Sequence, residues 1–128
     1  MRILLDTHAF LWYITDNPKL SSKAKSAISY GDSQVFVSKA SLWEIAIKVG
    51  KGKLKLDGPY EDYIEQQISF NRFTPLNIEY KHLNKLLLLE DHHHDPFDRL
   101  LIAQAVSENM PLITVDEKIA KYELDIIW

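Results

Sequence analysis

The sequence predicts an α/β fold, a three-layer α/β/α sandwich around a central and mostly parallel sheet. Short apolar runs at 2–5, 34–37 and 112–115 do not alternate with polar residues, which is typical of strands covered on both faces. Helical stretches lie between these runs, and strands separated by helices favour parallel pairing. A chain of 128 residues can bury one core but is short for two. We therefore expect residues 1–128 to form a single domain.

Each predicted element has a local signal. The strands in chain order are RILL (2–5), QVFV (34–37), a weaker TPL near 75, LITV (112–115) and a weaker DII near 126. Helices are expected over THAFLWYI, SSKAKSAI, ASLWEIAIKV, YEDYIEQQI, EYKHLNKLLLLE, PFDRLLIAQA and EKIAKY. Pro59, after Asp57-Gly58, suits an early helical position where its missing N–H has no cost. Gly31 and Asn109 are suitable helix ends.

Composition excludes several classes of protein. No apolar run approaches the roughly 20 residues of a membrane-spanning helix, and MRILLDTH is too short for a signal-peptide core, so we expect a cytoplasmic protein. The absence of cysteine excludes disulfides and thiolate metal sites. A net charge of −3 gives no overall attraction to nucleic acid, so binding of a polyanion would need a local basic patch or a metal ion.

Four acidic residues occupy equivalent positions in the predicted fold. Asp6 and Asp116 each directly follow a predicted central strand, Glu44 lies near the start of the helix after strand 34–37, and Asp98 lies in the first turn of its helix. In parallel sheets, ligands gather where the carboxyl ends of strands meet helix N-termini. The four acids could therefore meet at one edge of the sheet.

Helix capping is the competing interpretation for each acid. Asp95 followed by proline resembles an N-cap, and the segment 41–44 matches a capping box in which Glu44 bonds back to the cap. Asp116 and Asp6 could cap the helices that follow them. Acids at helix starts also gain about 0.3–1 kcal/mol from the helix dipole.

The four acids together are harder to explain by capping. Carboxylates about 5 Å apart repel by roughly 3 kcal/mol at an effective dielectric constant near 20. In the sequence no Lys or Arg adjoins Asp6, Glu44 or Asp116, and only Arg99 adjoins Asp98. A divalent cation would relieve the repulsion, and oxygen ligands without cysteine favour Mg²⁺ or Mn²⁺. Such an ion suits phosphodiester hydrolysis.

Four segments in order, LLDTHAFLW, SLWEIAIKVGKGKL, DPFDRLLIAQA and LITVDEKI, resemble PIN-domain proteins. The similarity is closest to the VapC-type toxin ribonucleases of bacterial toxin–antitoxin modules, and it spans nearly the whole chain. The resemblance implies an Mg²⁺- or Mn²⁺-dependent endoribonuclease. By position, Asp6, Glu44, Asp98 and Asp116 match the acidic quartet of the family, as catalytic residues and metal ligands. Asp95 is an additional acid of secondary rank.

The roles implied for the quartet differ. Asp6 and Asp98 would chiefly hold one or two ions, whereas Glu44 and Asp116 would either ligate directly or orient metal-bound water. The direct metal role of Asp116 is the least certain, because the fourth acid varies within the family. Thr114 could offer a hydroxyl near the metal, although threonine is also common in strands.

Basic residues near the acids are candidates for RNA binding. Lys48, Lys51, Lys53 and Lys55 could form a phosphate-binding patch or an ordinary solvated loop. Arg99 could contact phosphate, but pairing with an acid is the default. Adjacent His92, His93 and His94 would point in different directions, so we expect a solvated loop at the lip of the site rather than metal ligands.

The resemblance also implies partners. These are an RNA substrate, a cognate antitoxin protein and a second copy of the chain in a homodimer. AFLWYI and LNKLLLLE carry more apolar surface than one contact stripe needs, and the excess could serve such interfaces. Two other functions stay open from the sequence: a non-catalytic PIN-fold binding module and, with less support, a phosphoacceptor receiver domain.

Overall fold

The computed structural model describes all 128 residues and contains one sheet of five parallel strands. The strands are β1 (Arg2–Leu5), β2 (Gln34–Ser38), β3 (Thr74–Leu76), β4 (Leu112–Ile113) and β5 (Ile126–Ile127). Their order is β3-β2-β1-β4-β5, which places β1 at the centre. Leu5 pairs with both Val37 and Ile113, so the carboxyl ends of the three central strands align at one edge.

Six α-helices connect the strands. They are α1 (Thr7–Ile14), α2 (Ser22–Ser29), α3 (Lys39–Gly50), α4 (Tyr60–Phe70), α5 (Tyr80–Leu87) and α6 (Pro96–Glu108). No helix combines the length and the apolar character that crossing a membrane requires.

The sheet separates two apolar cores, because successive strand residues point to opposite faces. Ile3 and Leu5 of β1 pack with residues of α1–α4, whereas Leu4 packs with residues of α6 on the other face. Burial on both faces explains why the strands are continuous apolar runs. The prediction of a three-layer α/β/α sandwich is confirmed, and the sheet is parallel throughout.

Two of the predicted helix boundaries are confirmed by their caps. The Asp95 carboxylate accepts hydrogen bonds from the backbone N–H groups of Phe97 and Asp98, and Pro96 occupies the first helical position of α6. Asn109 ends α6 in the left-handed conformation, with φ of 55°. The end of α2 differs from the expectation, because that helix ends at Ser29 rather than continuing to Gly31.

The predicted strand 112–115 is too long. β4 ends at Ile113 because its partner β1 ends at Leu5, where the chain turns into α1 and leaves no strand beside residues 114–115. Asp116 therefore lies three residues beyond the strand rather than directly after it. The predicted helix EKIAKY is reduced to a single 3₁₀ turn, Ile119–Lys121.

The predicted capping box at 41–44 is wrong. Ser38, at the end of β2, caps α3 by accepting a hydrogen bond from the N–H of Ala40 at 3.0 Å. The helix thus begins three residues earlier than the box requires, because strand and helix follow each other with no intervening turn. Glu44 lies in the second turn and is free to face the carboxyl edge of the sheet.

Candidate functional site

The structure places all four predicted acids at the carboxyl edge of the sheet. Asp6 follows β1, Glu44 lies in α3, and Asp98 lies in the first turn of α6. Their charges interact: burial and the charge of Asp95 raise the pKa of Asp98, and the charges of Asp6 and Glu44 raise it further. Asp116 and Asp98 both contact the side chain of His93. The sheet register thus brings together residues that are far apart in the sequence.

Asp6 is the most buried member of the cluster. Its Oδ1 accepts a hydrogen bond from the N–H of Ala9 at 2.7 Å, so Asp6 does cap α1 as the competing interpretation holds. Burial nevertheless raises the pKa of the carboxyl above its usual value of 3.8, although hydrogen bonds from Thr114 and Ala9 oppose the rise. The bonds of the cap therefore do not fully offset the cost of burying this charge.

Asp98 is the second acid of the cluster with a raised pKa. Its pKa is raised from 3.8 to about 7, chiefly by burial and next by the charge of Asp95. Asp95 itself is exposed, and its Oδ1 accepts the N–H of Asp98 at 3.0 Å. Asp95 is thus the exposed N-cap of α6, which is consistent with its prediction as a secondary candidate beside the four acids.

Asp116 is held by hydrogen bonds at both oxygens. The N–H of Lys118 donates to Oδ1 at 2.9 Å, and Oδ2 lies 2.7 Å from Nε2 of His93. Burial acts to raise the pKa of Asp116, but these hydrogen bonds outweigh it and the pKa is lowered. The buried Thr114 accepts the N–H of Asp116 at 3.1 Å, so it connects Asp116 to Asp6.

Glu44 is fixed by neighbours that the sequence analysis did not place there. The hydroxyl of Thr7, which directly follows Asp6, donates to Oε1 at 2.7 Å and lies 2.9 Å from Oγ of Ser41. Lys48 Nζ lies 3.0 Å from Oε2. The expectation that no basic side chain lies beside Glu44 is therefore wrong, because i and i+4 share one face of a helix.

His93 is a member of the site and not part of a solvated loop. It is buried, and its Nε2 lies 3.2 Å from Oδ2 of Asp98 as well as 2.7 Å from Asp116. These three side chains present ligand atoms within 4.8 Å of one another. The prediction of a solvated loop is wrong for His93 and correct for the exposed His94. The only sequence signal for His93 was its nearness to Asp95 and Asp98.

Arg99 holds the loop that carries His93 instead of pairing with an acid. Its guanidinium donates to the carbonyl oxygens of Glu90 and His93 at 3.0 and 3.2 Å. The buried Tyr122 hydroxyl accepts the N–H groups of His92 and His93, both at 3.0 Å. The prediction that Arg99 pairs with an acidic side chain is therefore wrong, because its guanidinium binds backbone carbonyl oxygens instead.

An aromatic pair, of which Trp43 is exposed and Phe97 is half-buried, lies next to two of the acids in the sequence. The rings of Trp43 and Phe97 meet edge to face, with centroids 5.0 Å apart. Trp43 is 58% exposed although it adjoins Glu44, and Phe97 adjoins Asp98. Neither Trp43 nor Phe97 was predicted from the sequence to lie at the site.

The donor set of the cluster fits a hard divalent cation. Asp6 and Asp98 both have raised pKa values because burial penalises their charge, and each feels a neighbouring carboxylate. Oxygen ligands without sulfur are those that Mg²⁺ and Mn²⁺ prefer. A dication at this edge would favour the ionised form of both groups.

Comparisons with known proteins agree with this fold. Residues 3–124 match the model of the PIN domain family. This match covers almost the whole chain, and the structure has a five-stranded parallel sheet with an acidic carboxyl edge. The chain belongs to the PIN domain family. The family match leaves the receiver-domain alternative without support.

Three individual proteins to which the chain is similar have sequence identities of 25% or lower. The chain is 25% identical over 120 residues to the ribonuclease VapC22 of Mycobacterium tuberculosis, covering 94% of this chain and 91% of that one. Its fold is similar to that in a structure of VapBC2 from Rickettsia felis bound to a promoter DNA fragment, with a TM-score of 0.74, 18% identity and 98% and 97% coverage. It is also similar to a toxin–antitoxin complex from Klebsiella pneumoniae, with a TM-score of 0.67, 17% identity and 98% and 96% coverage.

Proposed function

We propose that this protein is an Mg²⁺- or Mn²⁺-dependent endoribonuclease and the toxin of a toxin–antitoxin pair. The observation that carries the proposal is the cluster of mutually repelling carboxylates at the carboxyl edge of a PIN domain, in which the pKa of Asp98 rises to about 7. Its similarity to the ribonuclease VapC22 supports the choice of RNA as substrate. Its similarity to proteins in toxin–antitoxin complexes supports an antitoxin partner.

Asp6 and Asp98 are the proposed principal ligands, because desolvation and neighbouring carboxylates raise the pKa of both. Glu44 and Asp116 are each held by hydrogen bonds or an ion pair that fixes the orientation of the carboxylate. When bound, a divalent cation lowers the pKa of water and offsets the charge of a phosphate.

The residues available to bind RNA differ from those first considered. Lys48 pairs with Glu44, and Arg99 is bonded to backbone carbonyls, which leaves Lys51, with Lys53 and Lys55, exposed and without an ion pair. We propose that these three lysines supply the phosphate contacts. Trp43 offers an exposed π-face on which a base can stack.

RNA cleavage by purified protein tests the proposal. We expect fragments from total cellular RNA in Mg²⁺ or Mn²⁺, none in EDTA, and none from Asp6→Asn, because that variant keeps the shape of the cap but loses one ligand charge. Asp125→Asn is the matched control, since Asp125 is an exposed acid that directly precedes β5, at the amino edge of the parallel sheet rather than the carboxyl edge. Cleavage by Asp6→Asn at the wild-type rate would refute the mechanism.

The toxin assignment has its own test. Induced expression of the wild-type chain should arrest bacterial growth, whereas Asp6→Asn should not. Metal binding without cleavage of any cellular RNA and without growth arrest would instead indicate the non-catalytic binding module. These outcomes separate an active ribonuclease from a domain that retains only the fold.

The homodimer is also a proposal, supported by one surface. Leu87 and Leu88 follow each other at the end of α5 and are 83% and 78% exposed, so this part of LNKLLLLE lies outside the core. Such exposed apolar side chains are typical of interfaces. Leu87→Glu should convert a dimer into a monomer in light scattering, and an unchanged mass would exclude this surface.

A further inference from the structure

The two ring nitrogens of His93 have opposite hydrogen-bonding roles. Nδ1 accepts the backbone N–H of Asp95 at 3.1 Å. Because an amide N–H can only donate, Nδ1 must keep its lone pair, and the proton of the ring is therefore on Nε2. Nε2 lies 2.7 Å from Oδ2 of Asp116 and 3.2 Å from Oδ2 of Asp98, and carboxylate oxygens are acceptors.

We propose that His93 is a positioning residue that holds the carboxylates of Asp116 and Asp98 through Nε2–H and is not itself a metal ligand. A ligating nitrogen needs a free lone pair, which a protonated Nε2 does not have. The close approach of the three side chains would also permit an ion with a histidine ligand, so the tautomer of the ring distinguishes the two roles. The inference rests on the proposed function, because that function assigns a cation to these acids.

The backbone around His93 keeps the ring in this orientation. The Tyr122 hydroxyl and the Arg99 guanidinium bind the backbone of the 90–93 loop, and the His93 side chain is buried. On the other side, Asp95 is fixed as the N-cap of α6, so its N–H has a set direction. Reversal of the ring would leave the Asp95 N–H without its acceptor and would turn a carbon towards Asp116. Both changes are unfavourable in a buried site.

The tautomer can be measured directly without RNA. Long-range ¹H–¹⁵N correlation spectra of the metal-free protein should show a protonated Nε2 and an unprotonated Nδ1 for His93, identified by its absence in His93→Gln. Addition of Mg²⁺ should leave this pattern unchanged. An unprotonated Nε2 whose resonance shifts when Mg²⁺ or Zn²⁺ is added would show a ligand and overturn the proposal.

Mg²⁺ affinity, measured by calorimetry, tests the positioning role. His93→Ala should weaken binding by about 10- to 100-fold, the usual effect of removing a residue that orients a ligand. His93→Gln should recover most of this loss, because its amide N–H can reach the place of Nε2–H. His94→Ala is the matched control, since its side chain is exposed and contacts only Asp91, and it should bind like the wild type.

Equal affinity of His93→Ala and the wild type would overturn the proposal, and so would a His93→Gln variant as weak as His93→Ala. Thermal unfolding of each variant checks that it is folded before the titration. Failure of the wild type to cleave RNA would count against the proposed function alone, since neither the spectra nor the titration involves RNA.

Discussion

Replacing Asp98 with asparagine should stabilise the metal-free protein at alkaline pH. The pKa of Asp98 rises from 3.8 to about 7, first because burial penalises its charge and then because of the charge of Asp95. In the unfolded chain the carboxyl ionises near its ordinary value, so between these two pH values the folded state binds a proton that the unfolded state does not. The free energy of unfolding therefore falls as pH rises through this window.

The size of the effect follows from the same shift. A rise from 3.8 to about 7 corresponds to about 4 kcal/mol at roughly 1.4 kcal/mol per tenfold change in proton affinity. The Asp98 side chain is 27% exposed, so solvent screening reduces the estimate to about 2 kcal/mol. Asp98→Asn removes the charge and should recover this amount above pH 7. The gain should shrink to below about 0.5 kcal/mol near pH 4, where the wild-type carboxyl is protonated in the folded state and roughly half protonated in the unfolded chain.

Urea unfolding in EDTA at pH 8 and at pH 4 measures both values. Asp125→Asn, which removes an exposed acid, should change stability little at either pH. Saturating Mg²⁺ should reverse the order of stability, because a cation at 100 times its Kd adds about 2.7 kcal/mol to the wild type and less to a variant that lacks a ligand. An equal gain at both pH values, or none at pH 8, would refute the account of a crowded acidic edge.

Two further substitutions test the contacts around the site and at the far end of α6. Tyr122→Phe should destabilise the protein by roughly 1–3 kcal/mol in urea unfolding and speed amide exchange at 92–93, because two buried N–H groups lose the oxygen that lies 3.0 Å from each. Glu108→Gln should destabilise by a similar amount at pH 7, since Lys81 and the buried His82 hydrogen-bond to this carboxylate and lower its pKa from 4.5 to about 2. That contribution is present above pH 4.5 and disappears as pH falls towards 2.

Each of these substitutions has a matched control. Tyr30→Phe removes an exposed hydroxyl whose one hydrogen bond, to Asp32, is 3.4 Å long. Glu123→Gln removes an exposed carboxylate that makes no ion pair. Both should change the free energy of unfolding by less than about 0.5 kcal/mol. Losses as large as those of Tyr122→Phe and Glu108→Gln would show that the buried contacts are not the cause.

Much of the fold could be predicted because its signals are local. The apolar residues of RILL alternate between the two faces of the strand, which indicates a strand covered on both sides. Asp95 followed by Pro96 indicates the start of a helix. Boundaries set by a partner strand could not be predicted in this way. The strand at 112–115 ends at Ile113 because β1 has turned into a helix beside it, and no residue in LITV carries that information.

The candidate site divides along the same line. The four acids were identified from their positions after strands and at helix starts, together with the family resemblance. The hydroxyl of Thr7 and the buried ring of His93 were missed, because each depends on which side chains face one another across elements. The ion pair of Lys48 with Glu44 was also missed, although its i and i+4 spacing in one helix is a local signal. The predictions of RNA-binding residues changed most, since Lys48 pairs with Glu44 and Arg99 binds backbone carbonyl oxygens.

Local pattern therefore determined the strands, most helix starts and the identity of the acids, because these depend on neighbouring residues and on periods of two or 3.6. Only the tertiary structure determined how those acids are held. The parallel register aligned the ends of β1, β2 and β4, and the 90–93 loop folded back to place His93 between Asp98 and Asp116. Hydrogen bonds to Tyr122 and Asp116, which are distant in the sequence, act together with the local bond from the Asp95 N–H to place that histidine in the site.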